Sequence, residues 1–167
     1  MSSELAIGNP FVLVLCTGNV CRSPMAETLL NYYLREEGVA CAAFSRGLAA
    51  PVGRSPHQYA IRVSERHGVR IAPNKRAEMV TTAELMAAMV ILVMDSGHRR
   101  ELQRRFPKIS GKVFLLGEWQ GTEIEDPINE PEEFFESVWQ KIDAGAAAWA
   151  RNLKEANMVD LQKVTAS

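Results

Sequence analysis

The run Cys16-Thr17-Gly18-Asn19-Val20-Cys21-Arg22-Ser23 holds a nucleophile, a cation and a hydroxyl within one short segment. A cysteine attacks as its thiolate, and a positive environment makes that form available at neutral pH. An arginine at the end of the run offers a planar fork matched to two phosphate oxygens. Gly18 and Asn19 tolerate left-handed backbone angles, which turn successive N–H groups inward as an anion nest. Ser23 brings a hydroxyl that can donate to the thiolate. Together these groups suit nucleophilic attack on a held phosphoryl group. In a shuffled chain of this composition the pattern C-x5-R-S arises about 0.014 times, so the signal is specific.

The elements around the run predict how it is positioned. Phe11-Val-Leu-Val-Leu-Cys16 reads as a fully buried strand. A helix follows over 24–37, with Ser23 as N-cap, Pro24 in the first turn and Gly38 as the stop. Further along come a weaker strand over 40–45, a helix over 56–67 closed by Gly68 and a short helix over 81–88. A second strong strand over 89–94 precedes a basic helix over 96–106 and a strand over 112–116. The longest helix, 131–153, repeats Phe135, Val138, Trp139, Ile142, Ala146, Trp149 and Leu153 at three- and four-residue spacing. Such alternation predicts an α/β fold: three layers, a four-stranded parallel sheet flanked by helices on both faces, and the phosphate loop after the first strand. In such folds ligands bind outside the carboxyl ends of strands, where strand order reverses.

With 167 residues the chain predicts one domain, set here at 9–156, with mobile tails over 1–8 and 157–167. Nineteen Lys and Arg against 20 Asp and Glu leave a net charge of −1, the balance of neither a nucleic-acid binder nor an anionic-membrane binder. The longest apolar run, Leu85–Met94, is far too short to cross a bilayer, so no membrane insertion is expected. No Lys or Arg precedes Phe11, unlike the basic start of a signal peptide, and the expected location is cytoplasmic. An odd count of three cysteines argues against a disulfide framework, and His57, His67 and His98 lack ligand spacing. No metal and no cofactor are expected. Cys41 reads as a core hydrophobe, Trp119, Trp139 and Trp149 as packing anchors, and the methionines as core filler. Arg99-Arg100 and Arg104-Arg105 read as a solvated helix face. His57, at a helix start, has no assigned proton-transfer role.

Cys16-Thr-Gly-Asn-Val-Cys-Arg-Ser-Pro-Met-Ala-Glu27 resembles the phosphate-binding loop and first helix of the low-molecular-weight protein tyrosine phosphatases. The resemblance extends to Gly111-Lys-Val-Phe-Leu-Leu-Gly-Glu-Trp119, Glu123-Ile-Glu-Asp-Pro127 and Ala148-Trp-Ala-Arg151. The nearest likeness is to the bacterial branch encoded with capsule and exopolysaccharide machinery. It implies a phosphotyrosine hydrolase working through a phosphocysteine intermediate, whose partner is a bacterial tyrosine kinase of exopolysaccharide export. The expected state is a monomer or weak dimer. Cys16 is then the nucleophile and Arg22 the phosphate clamp. Thr17, Gly18, Val20 and Cys21 complete the loop, Asn19 is its strained shaping residue, and Ser23 supports the thiolate. Ser45 falls where the family has a serine bonded to that asparagine. Asp126 is the general acid, protonating the leaving phenolate and then activating water. Cys21 matches the family cysteine that closes a reversible disulfide with the oxidised nucleophile; its plain alternative is packing beneath the loop.

Some positions depart from the family pattern. Ile128 stands where many relatives have a tyrosine wall of the phosphotyrosine slot, and the opposite wall, at Ala50, offers little ring surface. Asn74 stands where a His is usual, and Arg76-Ala-Glu78 replaces Ala-Arg-Gln. Two other reactions use this loop. Protein-arginine phosphatases of the family carry Thr where this chain has Val20. An arsenate reductase, an oxidoreductase, needs a downstream pair of cysteines, and residues 70–167 contain none. A silent phosphate-binding module would keep Arg22 yet would not require both Cys16 and Asp126.

Overall fold

The computed structural model describes residues 9–156; the expected mobile tails, 1–8 and 157–167, lie outside the described residues. Strand β1 (Phe11–Cys16) is buried at all six positions, as its unbroken apolar sequence requires. It pairs in parallel with β2 (Ala42–Gly47) on one side and β3 (Val90–Val93) on the other, and β4 (Val113–Leu115) extends the sheet beyond β3. The order β2-β1-β3-β4 makes the carboxyl end of β1 the point where strand order reverses.

Alternate β1 side chains enter two different cores. Val12, Val14 and Cys16 join Phe135, Trp139 and Ile142, which come from α5 (Glu132–Glu155), and Met25, Leu29 and Leu30 from α1 (Arg22–Glu36). Phe11, Leu13 and Leu15 join Leu85 of α3 (Thr82–Ala87), Leu102 of α4 (Ser96–Arg105) and Ile109. Strand period 2 thus sorts one sequence into the two outer layers. Helix α2 (Gln58–Arg66) packs on the α5 side, where Tyr59 and Phe135 meet edge to face at 5.4 Å. Each large apolar side chain buried this way stabilises the fold by roughly 1.5–3 kcal/mol. Among the described residues no helix is long and apolar enough to cross a membrane.

Several sequence expectations are corrected. Strand β2 starts at Ala42 and runs to Gly47, because the turn at Gly38 (φ +70°) continues through Cys41. Helix α1 begins at Arg22, and its cap position is Cys21, with no side-chain cap; Ser23 lies inside the first turn. Trp139 and Trp149 anchor the core, but Trp119 is half exposed, its ring meeting that of Trp149 edge to face at 5.6 Å. Met25 and Met94 fill the core, whereas Met79 and Met86 are exposed. Cys41 is half-buried, packed against the core's edge.

Candidate active site

The loop between β1 and α1 is folded around its own side chains. Asn19 adopts φ +56°, a left-handed conformation that asparagine tolerates through local hydrogen bonds; Gly18 does not need one. The Asn19 amide N–H donates to Cys16 Sγ at 3.2 Å. Its side-chain Nδ2 donates to Ser23 Oγ at 2.8 Å and Ser45 Oγ at 3.0 Å, while Oδ1 accepts the Glu78 N–H at 3.0 Å. Ser23 Oγ, already accepting from Asn19, is left to donate its own proton to Cys16 Sγ, 2.9 Å away. The nucleophile candidate therefore sits with two donors converging on sulfur, 3% exposed.

Behind Ser45 the chain of bonds continues. Ser45 Oγ and its amide N–H both donate to Glu27 Oε1 at 2.7 Å, and Lys75 Nζ pairs with the same oxygen at 3.2 Å. Lys75 also donates to the Ser45 carbonyl at 3.0 Å. A run from Lys75 through Glu27, Ser45, Asn19 and Ser23 thus ends on the sulfur, every link with a defined donor and acceptor.

Arg22 is buried to 4% exposure at the head of α1, where helical N–H groups without intrahelical partners favour an anion. Its Nη1 donates to the Ile124 carbonyl at 2.9 Å and lies 3.4 Å from Asp95 Oδ2; its Nη2 lies 3.7 Å from Asp126 Oδ2. Asp95 caps α4 through the His98 N–H, 2.9 Å from Oδ1. Burial pushes its carboxyl up, but that hydrogen bond and the charges of His98 and Arg22 outweigh it and hold it below the usual range. His98 Nε2 meets Thr17 Oγ1 at 2.9 Å, and burial holds this imidazole below its ordinary range. Burial first, then the negative charges on Cys16 and Asp126, push the Cys21 thiol up to about 12, against the opposing pull of Arg22.

A depression of about 130 Å³ opens over the loop. Every loop residue from Cys16 to Arg22 except Asn19 lines it, with Asp126 and Ile128 at its edge. The expected catalytic trio Cys16, Arg22 and Asp126 is therefore brought together, although Asp126 lies more than a hundred residues along the chain. Asp126 reaches the edge in a turn: its Oδ1 accepts the Ile128 N–H at 3.1 Å across Pro127. Ile128 is one wall. Ala50 is not among the lining residues; its amide donates to Met79 Sδ at 3.0 Å, outside the depression. Asn74, exposed, does not reach the loop; the Glu78 backbone and the Lys75–Glu27 pair touch its supporting network instead. His57 caps α2, accepting the Tyr59 N–H, with its ring 4.7 Å from that of Phe135. Among the described residues no group of three His, Cys, Asp or Glu side chains is placed to hold a metal ion.

Sequence reasoning missed Glu27, Lys75, Asp95 and His98. Asp95 had a signal: it stands two residues past β3, on the carboxyl edge of the sheet. The other three became visible only when distant segments met.

A Cys-Arg loop at the switch point of a parallel sheet, with a carboxylate over it, defines a class of phosphate-handling enzyme. The family model described as low molecular weight phosphotyrosine protein phosphatase matches residues 11–159. The chain is 37% identical over 143 residues to the probable low molecular weight protein-tyrosine-phosphatase EpsP of Ralstonia nicotianae, covering 86% of this chain and 95% of that one. A crystal structure of the tyrosine phosphatase Wzb from Escherichia coli K30 in complex with sulphate superposes with TM-score 0.79 at 34% identity, covering 87% of this chain and 99% of that one. An arginine phosphatase, YwlE from Geobacillus stearothermophilus, superposes with TM-score 0.80 at 27% identity, covering 89% and 96%. The chain belongs to the low molecular weight protein-tyrosine-phosphatases, within the exopolysaccharide-associated branch.

Proposed function

We propose that the protein hydrolyses phosphotyrosine on a protein substrate through a phosphocysteine intermediate. Cys16 Sγ attacks phosphorus and the bond from phosphorus to the tyrosyl oxygen breaks. Asp126 delivers a proton to that oxygen, and Arg22 with the loop N–H groups holds the phosphoryl oxygens. Asp126 then takes a proton from the water that attacks phosphocysteine, releasing phosphate and restoring the thiolate. The observation that carries this reading is the convergence of Cys16, Arg22 and Asp126 on one depression, with two donors on the sulfur. Thr17, Gly18, Val20, Cys21 and Ser23 complete the oxyanion cradle, and Asn19 and Ser45 hold it in shape. The substrate we favour is a tyrosine kinase of exopolysaccharide export, met in the cytoplasm by a monomer or weak dimer. That choice rests on the branch to which the chain belongs.

The leaving group tests this assignment. Phenolate leaving from phosphotyrosine needs a proton badly, and nitrophenolate needs it less. Asp126→Asn is expected to cost on the order of 10²–10⁴ in kcat on phosphotyrosine and clearly less on nitrophenyl phosphate. An equal loss on both makes Asp126 structural. Phosphoarginine peptides belong in the same panel: Val20 lines the depression with branched carbon, and a guanidinium would need a polar contact there. Faster turnover of phosphoarginine than of phosphotyrosine would overturn the substrate.

A further inference from the structure

A second cavity, which shares no lining residue with the first, is used by no step of the proposed reaction. It measures about 290 Å³ and is bounded by Pro56, by Ile61 and Glu65 of α2, and by Arg70, Ile71 and Arg76 of the segment that follows. The backbone connects it to the phosphate loop: the His57 N–H, next to Pro56, donates to the Val20 carbonyl at 2.8 Å. The same stretch is fastened to the Arg76 side, since the Gly53 N–H donates to the Ala77 carbonyl at 2.9 Å and the Ala77 N–H to the Arg54 carbonyl at 2.8 Å. At the near end, Pro51 approaches Gly18 of the loop. Residues 51–57 thus run from the mouth of the active site to the wall of this cavity.

The charges along this path are unequal. Arg70 and Arg76 line the cavity against one carboxylate, Glu65, and the exposed Arg54 adjoins it in sequence. Among the described residues none of these three arginines has a carboxylate within 4.0 Å. Arg76 donates only to the Pro73 and Lys75 carbonyls. Arg62 and Arg66 of α2, by contrast, are paired with Glu132 and Glu136. In a chain whose net charge is −1, these guanidiniums without a carboxylate partner, two lining the cavity and one on the segment that leads to it from the phosphate loop, form a local positive patch. The surface between them is apolar: Pro56 and Ile71 are buried and Ile61 is half-buried.

We propose that this cavity is a docking site for an acidic stretch of the substrate protein, next to its phosphotyrosine, that carries an apolar side chain among its carboxylates. The apolar side chain fills the space over Pro56, Ile61 and Ile71, and the carboxylates meet Arg54, Arg70 and Arg76. This rests on the phosphotyrosine reading of the active site. It supplies a source of specificity that the depression lacks, since Ile128 is a modest wall for a phenyl ring and Ala50 is none.

The test compares two phosphotyrosine peptides that differ only in flanks, one with Glu-Leu-Asp-type flanks and one with Gln-Leu-Asn-type flanks. The wild-type protein and Arg70→Glu/Arg76→Gln are assayed at low and at high ionic strength. The acidic peptide is expected to show about three- to tenfold higher kcat/KM at low salt, the scale of two or three exposed ion pairs, and to lose that advantage at high salt. In the double variant the preference vanishes while nitrophenyl phosphate turnover is unchanged. Equal rates on both peptides in wild type, or a preference that survives in the variant, overturns the docking site. Titration of the same peptides onto Cys16→Ser separates this from the active-site reading. No turnover of either peptide by the wild type overturns phosphotyrosine as the substrate, whereas the flank dependence of binding to Cys16→Ser, and its loss on adding Arg70→Glu/Arg76→Gln, decides the cavity.

Discussion

Cys16 and Cys21 line the same depression but differ as thiols, because one accepts hydrogen bonds at sulfur and the other is pushed up to about 12 by burial. Resting Cys21 is therefore protonated. Peroxide converts the Cys16 thiolate to a sulfenic acid, which removes the second largest cause of the Cys21 shift. The Cys21 thiol can then displace water from that sulfenic acid, forming a disulfide that dithiothreitol reduces. Peroxide inactivation is expected to be largely reversible in the wild type and largely irreversible in Cys21→Ser, read as activity recovered after dithiothreitol. Equal recovery in both would mean Cys21 only packs. Ile128→Tyr acts on binding instead: a ring face at the edge of the depression adds roughly 0.5–1.5 kcal/mol of stacking. KM for phosphotyrosine peptides should fall while the dependence on leaving group stays the same; a rise in KM would mean the wall is shaped for another phosphoester. At this scale the sequence was legible where chemistry is contiguous. Cys16, Arg22 and Ser23 sit in one run, whereas Lys75, Glu27 and His98 act through contacts between segments that no local pattern encodes.

At the scale of elements, the loop keeps its shape because β2 ends in a glycine. The parallel register sets Gly47 opposite Cys16. A Cβ there would lie 2.7 Å from the Thr17 carbonyl oxygen, 2.8 Å from Ala50 Cβ and 3.1 Å from Asn19 Cβ. Gly47 cannot retreat, since its N–H donates to the Glu78 carbonyl and its own carbonyl accepts the Val80 N–H. In Gly47→Ala the phosphate loop must therefore move, and displacing reacting groups by a fraction of an ångström to an ångström costs on the order of 10²-fold in kcat/KM. Gly111→Ala is the control, because its Cβ would meet nothing within 4 Å, its φ is not positive and it does not line the depression. Steady-state kinetics on nitrophenyl phosphate should separate the two variants; a loss no larger in Gly47→Ala than in Gly111→Ala would mean that the loop does not depend on Gly47. The order of strands and α-helices is readable from hydrophobic period together with helix start and stop residues, whereas the 3-10 turns over Pro107–Lys112 and Glu118–Gln120 leave no such pattern. Boundaries at the site are not readable this way. Ser23 reads as a cap because serine prefers that position, but here the uncapped helix end faces the loop and the hydroxyl bonds to sulfur instead. Composition alone places β2 two residues early, because only its pairing with β1 carries it on to Gly47.

The whole molecule has an acid-sensitive stability that follows from where its imidazoles are buried. Burial holds both His57 and His98 below the ordinary imidazole range. For His98 the charges of Asp95, Glu101 and Asp126 oppose that effect and Arg22 adds to it, and its buried Nδ1 has no hydrogen-bond partner. In the unfolded chain both rings titrate near pH ~6.5. Between that value and the lowered folded ones, the unfolded state binds more protons, so stability rises with pH across the window and is lost as pH falls through it. Asp95 has the same sign of shift and the same direction of effect: its lowered carboxyl contributes stability above the ordinary carboxylate range, and loses it as pH falls through the folded value. The acid profile should therefore have two stages, an imidazole stage just below neutrality and a carboxylate stage well below it. His98 contributes at most ~1.4 kcal/mol per pH unit in the first stage. His98→Gln keeps a donor toward Thr17 but removes the titration, so denaturant unfolding between pH 7 and pH 5 should show a flatter dependence than the wild type, with the His57 share remaining. An unchanged slope would show that His98 binds protons equally in the folded and the unfolded chain, so that its burial does not displace its titration.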